Sequence, residues 1–173
     1  MSSTKLNKEK ETTTKKKCDI VLVYTDGSCM GNKRNPKCGY GVYFPNGEIK
    51  NMSKPFTKAP LTNQRSELYA IYKALKKICK KLDFNKIEIY SDSEYSIKSC
   101  TEWIVSWKKN GWKTANKKEV LNQDIIKKID KKLQKYKGKI TFTHVKAHTG
   151  KQDKHSLGNE QADKLATDGA KKS

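Results

Sequence analysis

Asp26, Glu67, Asp92 and Asp163 are the residues best placed by type and context to do chemistry. They stand in the runs Val-Tyr-Thr-Asp26-Gly-Ser, Asn-Gln-Arg-Ser-Glu67-Leu, Ile-Tyr-Ser-Asp92-Ser and Gly-Asn-Glu-Gln-Ala-Asp163. Elsewhere the chain is strongly basic, with a formal net charge of +20 over 173 residues. Four carboxylates gathered at one point repel one another, and some must protonate unless a cation lies among them. Mg²⁺ fits such a set, since it takes oxygen ligands, keeps waters and bridges to phosphate; Mn²⁺ can substitute. Two such ions, about 4 Å apart, activate a water and stabilise a leaving oxygen in an in-line displacement. Metal-dependent phosphodiester hydrolysis is the chemistry expected. Taken singly, each acid also has a plainer reading: a turn at Asp26-Gly27, a helix cap at Asp92, surface helix positions at Glu67 and Asp163.

The elements that must position these acids follow from periodicity. Residues 20–24 are a continuous β-branched and aromatic run, as in a strand buried on both faces. A loop is expected from Asp26 to Cys38, a second strand over 39–44, a turn at Pro45-Asn46-Gly47 and a third strand over 49–52. Leu68, Ile71, Leu75, Ile78 and Leu82 recur at helical steps after a cap at Thr62 or Asn63, which puts Glu67 in an early turn. Residues 87–90 make a strand that runs into Ser91-Asp92-Ser93-Glu94, a helix start. A further helix is expected from Val120 and Leu121 to Leu133, then a strand over 140–145. A last helix over about 159–170 has a small inner face of Ala162, Ala166, Gly169 and Ala170. The order β-β-β-α-β-α-α-β-α implies an α/β fold: a five-stranded mixed sheet, three antiparallel strands then parallel ones, flanked by helices. Strands ending on one edge of such a sheet can set Asp26 and Asp92 side by side.

Composition narrows the partners. Residues 1–17 hold six lysines and two glutamates without periodicity and read as a disordered Lys-rich arm, leaving 18–173 as one catalytic domain. The arm accounts for +4 of the charge, so the body is basic in its own right and more suited to phosphate than to protein. No apolar run is long enough to span a membrane, and no secretory signal is visible. Five scattered cysteines without a C-x-x-C argue against a disulfide framework or zinc knuckle and for reduced thiols in an intracellular protein of cytoplasm or nucleus. No protein partner is implied, and a monomer is the working expectation.

The flanking residues go further. Tyr24-Thr-Asp-Gly-Ser28, Thr62-Asn-Gln-Arg-Ser-Glu67, Tyr90-Ser-Asp92, Trp107-Lys-Lys-Asn-Gly-Trp-Lys-Thr114, His144-Val-Lys-Ala-His148 and Gly158-Asn-Glu-Gln-Ala-Asp163 together resemble the type 1 ribonuclease H family, in the same order and from about 20 to 170. The resemblance implies an endonuclease that cuts the RNA strand of an RNA–DNA hybrid by a two-metal-ion mechanism. By position, Asp26, Glu67, Asp92 and Asp163 would be the metal ligands, and His148 a loop residue that assists proton transfer or product departure. Cys29, Asn32, Asn63 and Gln64 match positions that touch RNA 2′-hydroxyls, the group that tells RNA from DNA. Thr62 and Asn122 match positions that hold a DNA phosphate. Trp103 and Trp107 would seat the DNA strand, and Lys108, Lys109, Trp112 and Lys113 resemble the basic protrusion, with at least one Trp expected to be mainly structural.

The sequence also departs from the family. Pro60 stands where relatives carry a phosphate-binding arginine and Ala115 where they carry a hydroxyl residue. The stretch 149–157 is longer than in compact relatives. Two other readings keep the same elements: a catalytically silent hybrid- or RNA-binding module, and a related metal nuclease acting on DNA.

Overall fold

The computed structural model describes residues 14–173. Its five strands form one mixed sheet in the order β3-β2-β1-β4-β5. β1 (Lys16–Asn32) pairs antiparallel with β2 (Asn35–Tyr43), and β2 antiparallel with β3 (Met52–Phe56). On its other side β1 runs parallel to β4 (Leu82–Ser91), and β4 parallel to β5 (Ile140–His144). The helices are α1 (Asn63–Lys81), α2 (Glu94–Lys98), α3 (Ile104–Lys109), α4 (Gln123–Lys135) and α5 (Lys154–Lys171), with a π-helical turn at Ser99–Trp103 between α2 and α3. The order is the one expected from the sequence, except that the first of the two helices between β4 and β5 is divided by the π-helical turn into α2 and α3.

The period of two in β1 assigns its side chains to two layers. Val21 and Val23 join the larger core, with Leu68, Ile71 and Leu75 of α1 and Ile126 and Ile129 of α4. Leu22 and Tyr24 face the other way, into a smaller cluster with Tyr90, Val145 and Ala162 of α5. Burying each large aliphatic side chain of the α1 face contributes about 1.5–3 kcal/mol, enough to seat that helix firmly. α5 has no comparable apolar stripe. It lies close instead: a Cβ on Gly39 would overlap the backbone of Ala166, Gly169 and Ala170, and one on Gly41 that of Ala162 and Ala166.

Several boundaries differ from the sequence reading. Residues 1–13, most of the proposed arm, lie outside the described residues. Lys16 and Lys17 already belong to β1, because Leu82 and Asp83 at the start of β4 lie opposite them. The expected loop from Asp26 to Cys38 is a hairpin: β1 continues to Asn32, whose Oδ1 accepts from the backbone N–H groups of Arg34 and Asn35 and closes the tip. β3 begins at Met52 because Asn51 Oδ1 accepts from Phe44 N–H and lengthens the preceding connection. α4 starts after Asn122, so Leu121 is outside the helix and 76% exposed. α5 starts at Lys154 with Asp153 as its cap, which turns the second half of the supposed long loop into helix.

The reading of all thiols as reduced is also corrected. Cys29 and Cys38 face each other in the β1–β2 register, 4.0 Å apart at Cα, and are joined as a disulfide. The hairpin makes this pair, and spacing in the sequence carries no sign of it. Cys18, Cys79 and Cys100 are free.

Candidate active site

β1 and β4 part company after the pair Thr25–Ser91. Asp26 follows immediately on β1, still paired with Gly41 of β2, and Asp92 follows the end of β4. Both therefore stand where the parallel pair opens. Glu67 comes down from α1, which crosses so near β1 that a Cβ on Gly27 would overlap the backbone of Ser66 and Glu67. Only glycine allows that approach. The result is a triad: one carboxylate oxygen from each of Asp26, Glu67 and Asp92 lies within 4.8 Å of the others. Asp163, from α5, falls outside this triad but reaches Asp26 closely enough to share a hydrogen bond.

Local chemistry holds each piece. Thr62 Oγ1 caps α1 by accepting from Arg65 N–H at 3.2 Å. The buried Arg65 guanidinium grips both carboxylate oxygens of Asp124 at 2.8 Å and so ties the start of α1 to the start of α4. Ser91 Oγ accepts from Ser93 N–H, and Ser93 caps α2, which fixes the turn bearing Asp92. His144 Nε2 lies 3.1 Å from the Asp92 carbonyl. Asn159, which sequence reasoning passed over although it stands inside the Gly-Asn-Glu-Gln-Ala-Asp163 run, donates from Nδ2 to Asp92 Oδ2 at 3.3 Å.

Among the described residues none of the four acids forms an ion pair with Lys or Arg. Burial, and then the charge of Asp92 and the neighbouring Asp163 and Glu67, push the Asp26 carboxyl well above the carboxylate range. Burial also lifts Glu67, to about 7, with Ser93 pulling it down and Asp92 pushing it up. Oxygen donors this close, without a positive partner, fit a hard divalent cation. Asp26, Glu67 and Asp92 would hold it, with Asp163 at the side.

A pH dependence follows. Both acids keep their protons more tightly folded than unfolded, so they favour the metal-free fold at low pH and withdraw that support as the pH rises. For Glu67 the window runs from 4.5 to about 7. The melting temperature of the metal-free chain is expected to fall more steeply across that window than that of Asp26→Asn, and Mg²⁺ to restore it. Parallel melting curves for the two proteins would refute this account of the site.

The remaining candidates are placed unevenly. His148 is exposed, has a left-handed backbone (φ 53°), and lines a cleft of about 360 Å³ together with Asn159 and Asp163. Asn63 Nδ2 donates to Glu67 Oε1 at 3.4 Å, and Gln64 is exposed beside it. Asn32 is not brought to the triad: it lies six residues beyond Asp26 along the β1 ladder, about 20 Å away. Cys29 has its sulfur committed to Cys38, which leaves its backbone for any contact with RNA. Asn122 accepts from Arg65 at 3.4 Å and donates to the Tyr95 hydroxyl at 2.8 Å.

Trp103, Trp107 and Trp112 form a row with centroids 6.0 and 6.1 Å apart. Trp107 and Trp112 pack on the core, whereas Trp103 is 39% exposed. Of the protrusion lysines, Lys108 is paired with Asp130 and Lys113 with Glu119. The Lys113–Glu119 pair is exposed at both ends, and pairs of this kind hold weakly, whereas Asp130 is largely shielded from solvent.

Known proteins resemble this chain in sequence and in fold. Over 156 residues the chain is 40% identical to ribonuclease H1 of Homo sapiens, covering 90% of this chain and 51% of that protein. It spans about half the length of that protein and of its mouse and rat counterparts. It is 40% identical over 155 residues to ribonuclease H of Actinobacillus pleuropneumoniae, covering 87% of this chain and 90% of that one. A solved structure of the foamy viral protease-reverse transcriptase in complex with RNA/DNA hybrid is similar with a TM-score of 0.72 and 25% identity, over 88% of this chain and 20% of that one. With its sequence matched over residues 18–171 by the model of the family described as RNase H, the chain belongs to that family.

Proposed function

We propose that this protein hydrolyses the RNA strand of RNA–DNA hybrids. The observation that carries this reading is the triad of Asp26, Glu67 and Asp92, without a Lys or Arg ion pair among the described residues, at the opening between β1 and β4, set in a chain of charge +20. A foamy viral relative of the same fold was solved on an RNA/DNA hybrid, which supports the choice of substrate. Two Mg²⁺ ions, or Mn²⁺, held by Asp26, Glu67, Asp92 and Asp163, would supply Lewis acidity and an activated water.

The protein's own groups do the rest. Asp26 on β1 and Asp92 just past the end of the adjacent β4 fix the spacing at which a scissile phosphate is received. Asn159 holds Asp92 by one oxygen and, among the described residues, leaves the other free. His148, on its loop lining the cleft, moves a proton toward the departing product, a task suited to an imidazole, in which one ring nitrogen can accept while the other donates. Asn63, Gln64 and the backbone of Cys29 meet 2′-hydroxyls on the strand to be cut. On the other strand, the Thr62 hydroxyl and Asn122 stand at the N-termini of α1 and α4, drawn together by Arg65. Backbone N–H groups there suit a DNA phosphate. Trp103 and Trp107 seat sugars or bases, and Lys108, Lys109 and Lys113 beside Trp112 meet further phosphates.

The test is a substrate panel with Mg²⁺: an RNA–DNA hybrid, duplex DNA and duplex RNA of one sequence. Cleavage confined to the RNA strand of the hybrid is expected. Equal cutting of duplex DNA would make the protein a general metal nuclease, and binding of the hybrid without cleavage would make it a silent binding module.

A further inference from the structure

Three residues of α5 at four-residue steps, His155, Asn159 and Asp163, share one helical face. Each meets a different partner. The His155 ring lies 4.6 Å from that of Tyr90, and its Nδ1 is 2.8 Å from the Tyr24 hydroxyl. Asn159 donates to Asp92, and Asp163 reaches Asp26. On the sheet, Tyr24 and Asp26 are two apart on β1, Tyr90 is the last residue but one of β4 and Asp92 stands just past its end, and the two tyrosines are register partners with rings stacked at 4.8 Å. Residues two apart on a strand share a face. The helical stripe thus runs from the paired tyrosines to the opening just beyond them, with its first member on the tyrosines and its later members on the acids.

The first contact carries the alignment. Tyr24 is 1% exposed, and His155 is the only hydrogen-bond partner of its hydroxyl among the described residues. With His155 as the tautomer that carries its proton on Nε2, the hydroxyl donates to Nδ1. The Tyr24 ring also occupies the space a Cβ on Gly158 would need. The α5 backbone can therefore settle on Tyr24 at a glycine and nowhere nearby. Just upstream, Ser156 Oγ donates to Asp153 and accepts from Thr149, the residue after His148.

We propose that His155 is a positioning residue. Its bond to Tyr24 sets the register of α5 on the sheet, placing Asn159 and Asp163 over Asp92 and Asp26 and anchoring the His148 loop. This rests on the ribonuclease reading for its kinetic consequence, though not for its structural one.

The experiment uses the full chain with His155→Leu, Tyr24→Phe, the double variant and His155→Asn, in which Oδ1 takes the place of Nδ1 as acceptor. Rates are measured well below each variant's melting temperature, and the rise in melting temperature produced by Mg²⁺ alone is measured beside them. His155→Leu and Tyr24→Phe are each expected to lower kcat about tenfold, the scale of one lost hydrogen bond, with KM within about twofold. Both are expected to shrink the Mg²⁺-induced rise. The double variant should be no worse than either single one, because the same bond is lost, and His155→Asn should recover most of kcat. An unchanged kcat and Mg²⁺ response in folded His155→Leu would overturn the proposal, as would multiplying losses in the double variant or an Asn variant no better than Leu. If the wild type cuts no hybrid, the ribonuclease reading fails, and the Mg²⁺ response still decides the role of His155.

Discussion

Asp26→Asn is expected to lower hydrolysis of an RNA–DNA hybrid by at least about a thousandfold, the scale of several kcal/mol of lost charge stabilisation at a metal-bound phosphate. Hybrid binding should stay within a few-fold of wild type. Asp26 is 4% exposed and central: Asp92, Glu67 and Asp163 all raise its proton affinity, so all three are near it. The amide keeps the shape and removes the charge that draws cations into the triad. In the proposed complex, contacts to phosphate and sugar come from other elements, namely the start of α1 capped by Thr62, the start of α4 and the tryptophan row. A gel-shift titration with the cleavage assay separates the two effects. Retained cleavage would remove Asp26 from the site, and lost binding would make it a contact for the duplex.

Gly41→Val is expected to damage both stability and activity. The added Cβ would overlap the Ala162 carbonyl oxygen and the Ala166 nitrogen, which are backbone atoms of a helix and cannot swing aside as a side chain can. Overpacking against such a wall costs about 3 kcal/mol or more, a fall in melting temperature of about 6–12 °C for a domain of this size. The only relief is for α5 to lift away from β2. Lifting α5 carries Asn159 and Asp163 away from Asp92 and Asp26, so kcat should fall further than the lost stability explains, even at temperatures where the variant is fully folded. Thermal melts beside rates at low temperature check this. A variant that melts early yet works normally when folded would show that α5 can move without disturbing the acids.

These effects depend on unequal legibility. The α1 helix was plain in the sequence because Leu68, Ile71, Leu75 and Ile78 repeat at its period and Thr62 offers a cap, both local properties. The small face of α5 was legible for the same reason. The four acids stood out through their immediate neighbours, and Asp26 and Asp92 were expected side by side at the ends of two strands. That Asp26 sits within a strand was hidden, because Gly27 and Ser28 break the apolar pattern and the strand is sustained by its partner β2. Also hidden were the bond from Asn159 to Asp92, 67 positions away, and the grip of Arg65 on Asp124, 59 positions away. Polar pairs at that separation leave no periodic trace, and the crossover connections of the sheet decide them. The early start of α5 was missed through a cap, Asp153, that stands before a polar rather than an apolar turn.

The bond between Cys29 and Cys38 closes a small ring, nine positions across, around the hairpin tip. That tip holds Lys33, Arg34 and Lys37, all exposed and all of the type that trypsin-like proteases cut after. A nick between Cys29 and Cys38 would open the ring without dividing the molecule, since the sulfur bridge would still join the strand bearing Asp26 to the strand on which α5 rests. Backbone continuity at the tip is thus dispensable for keeping the two halves in one covalent piece for as long as the bridge stays oxidised.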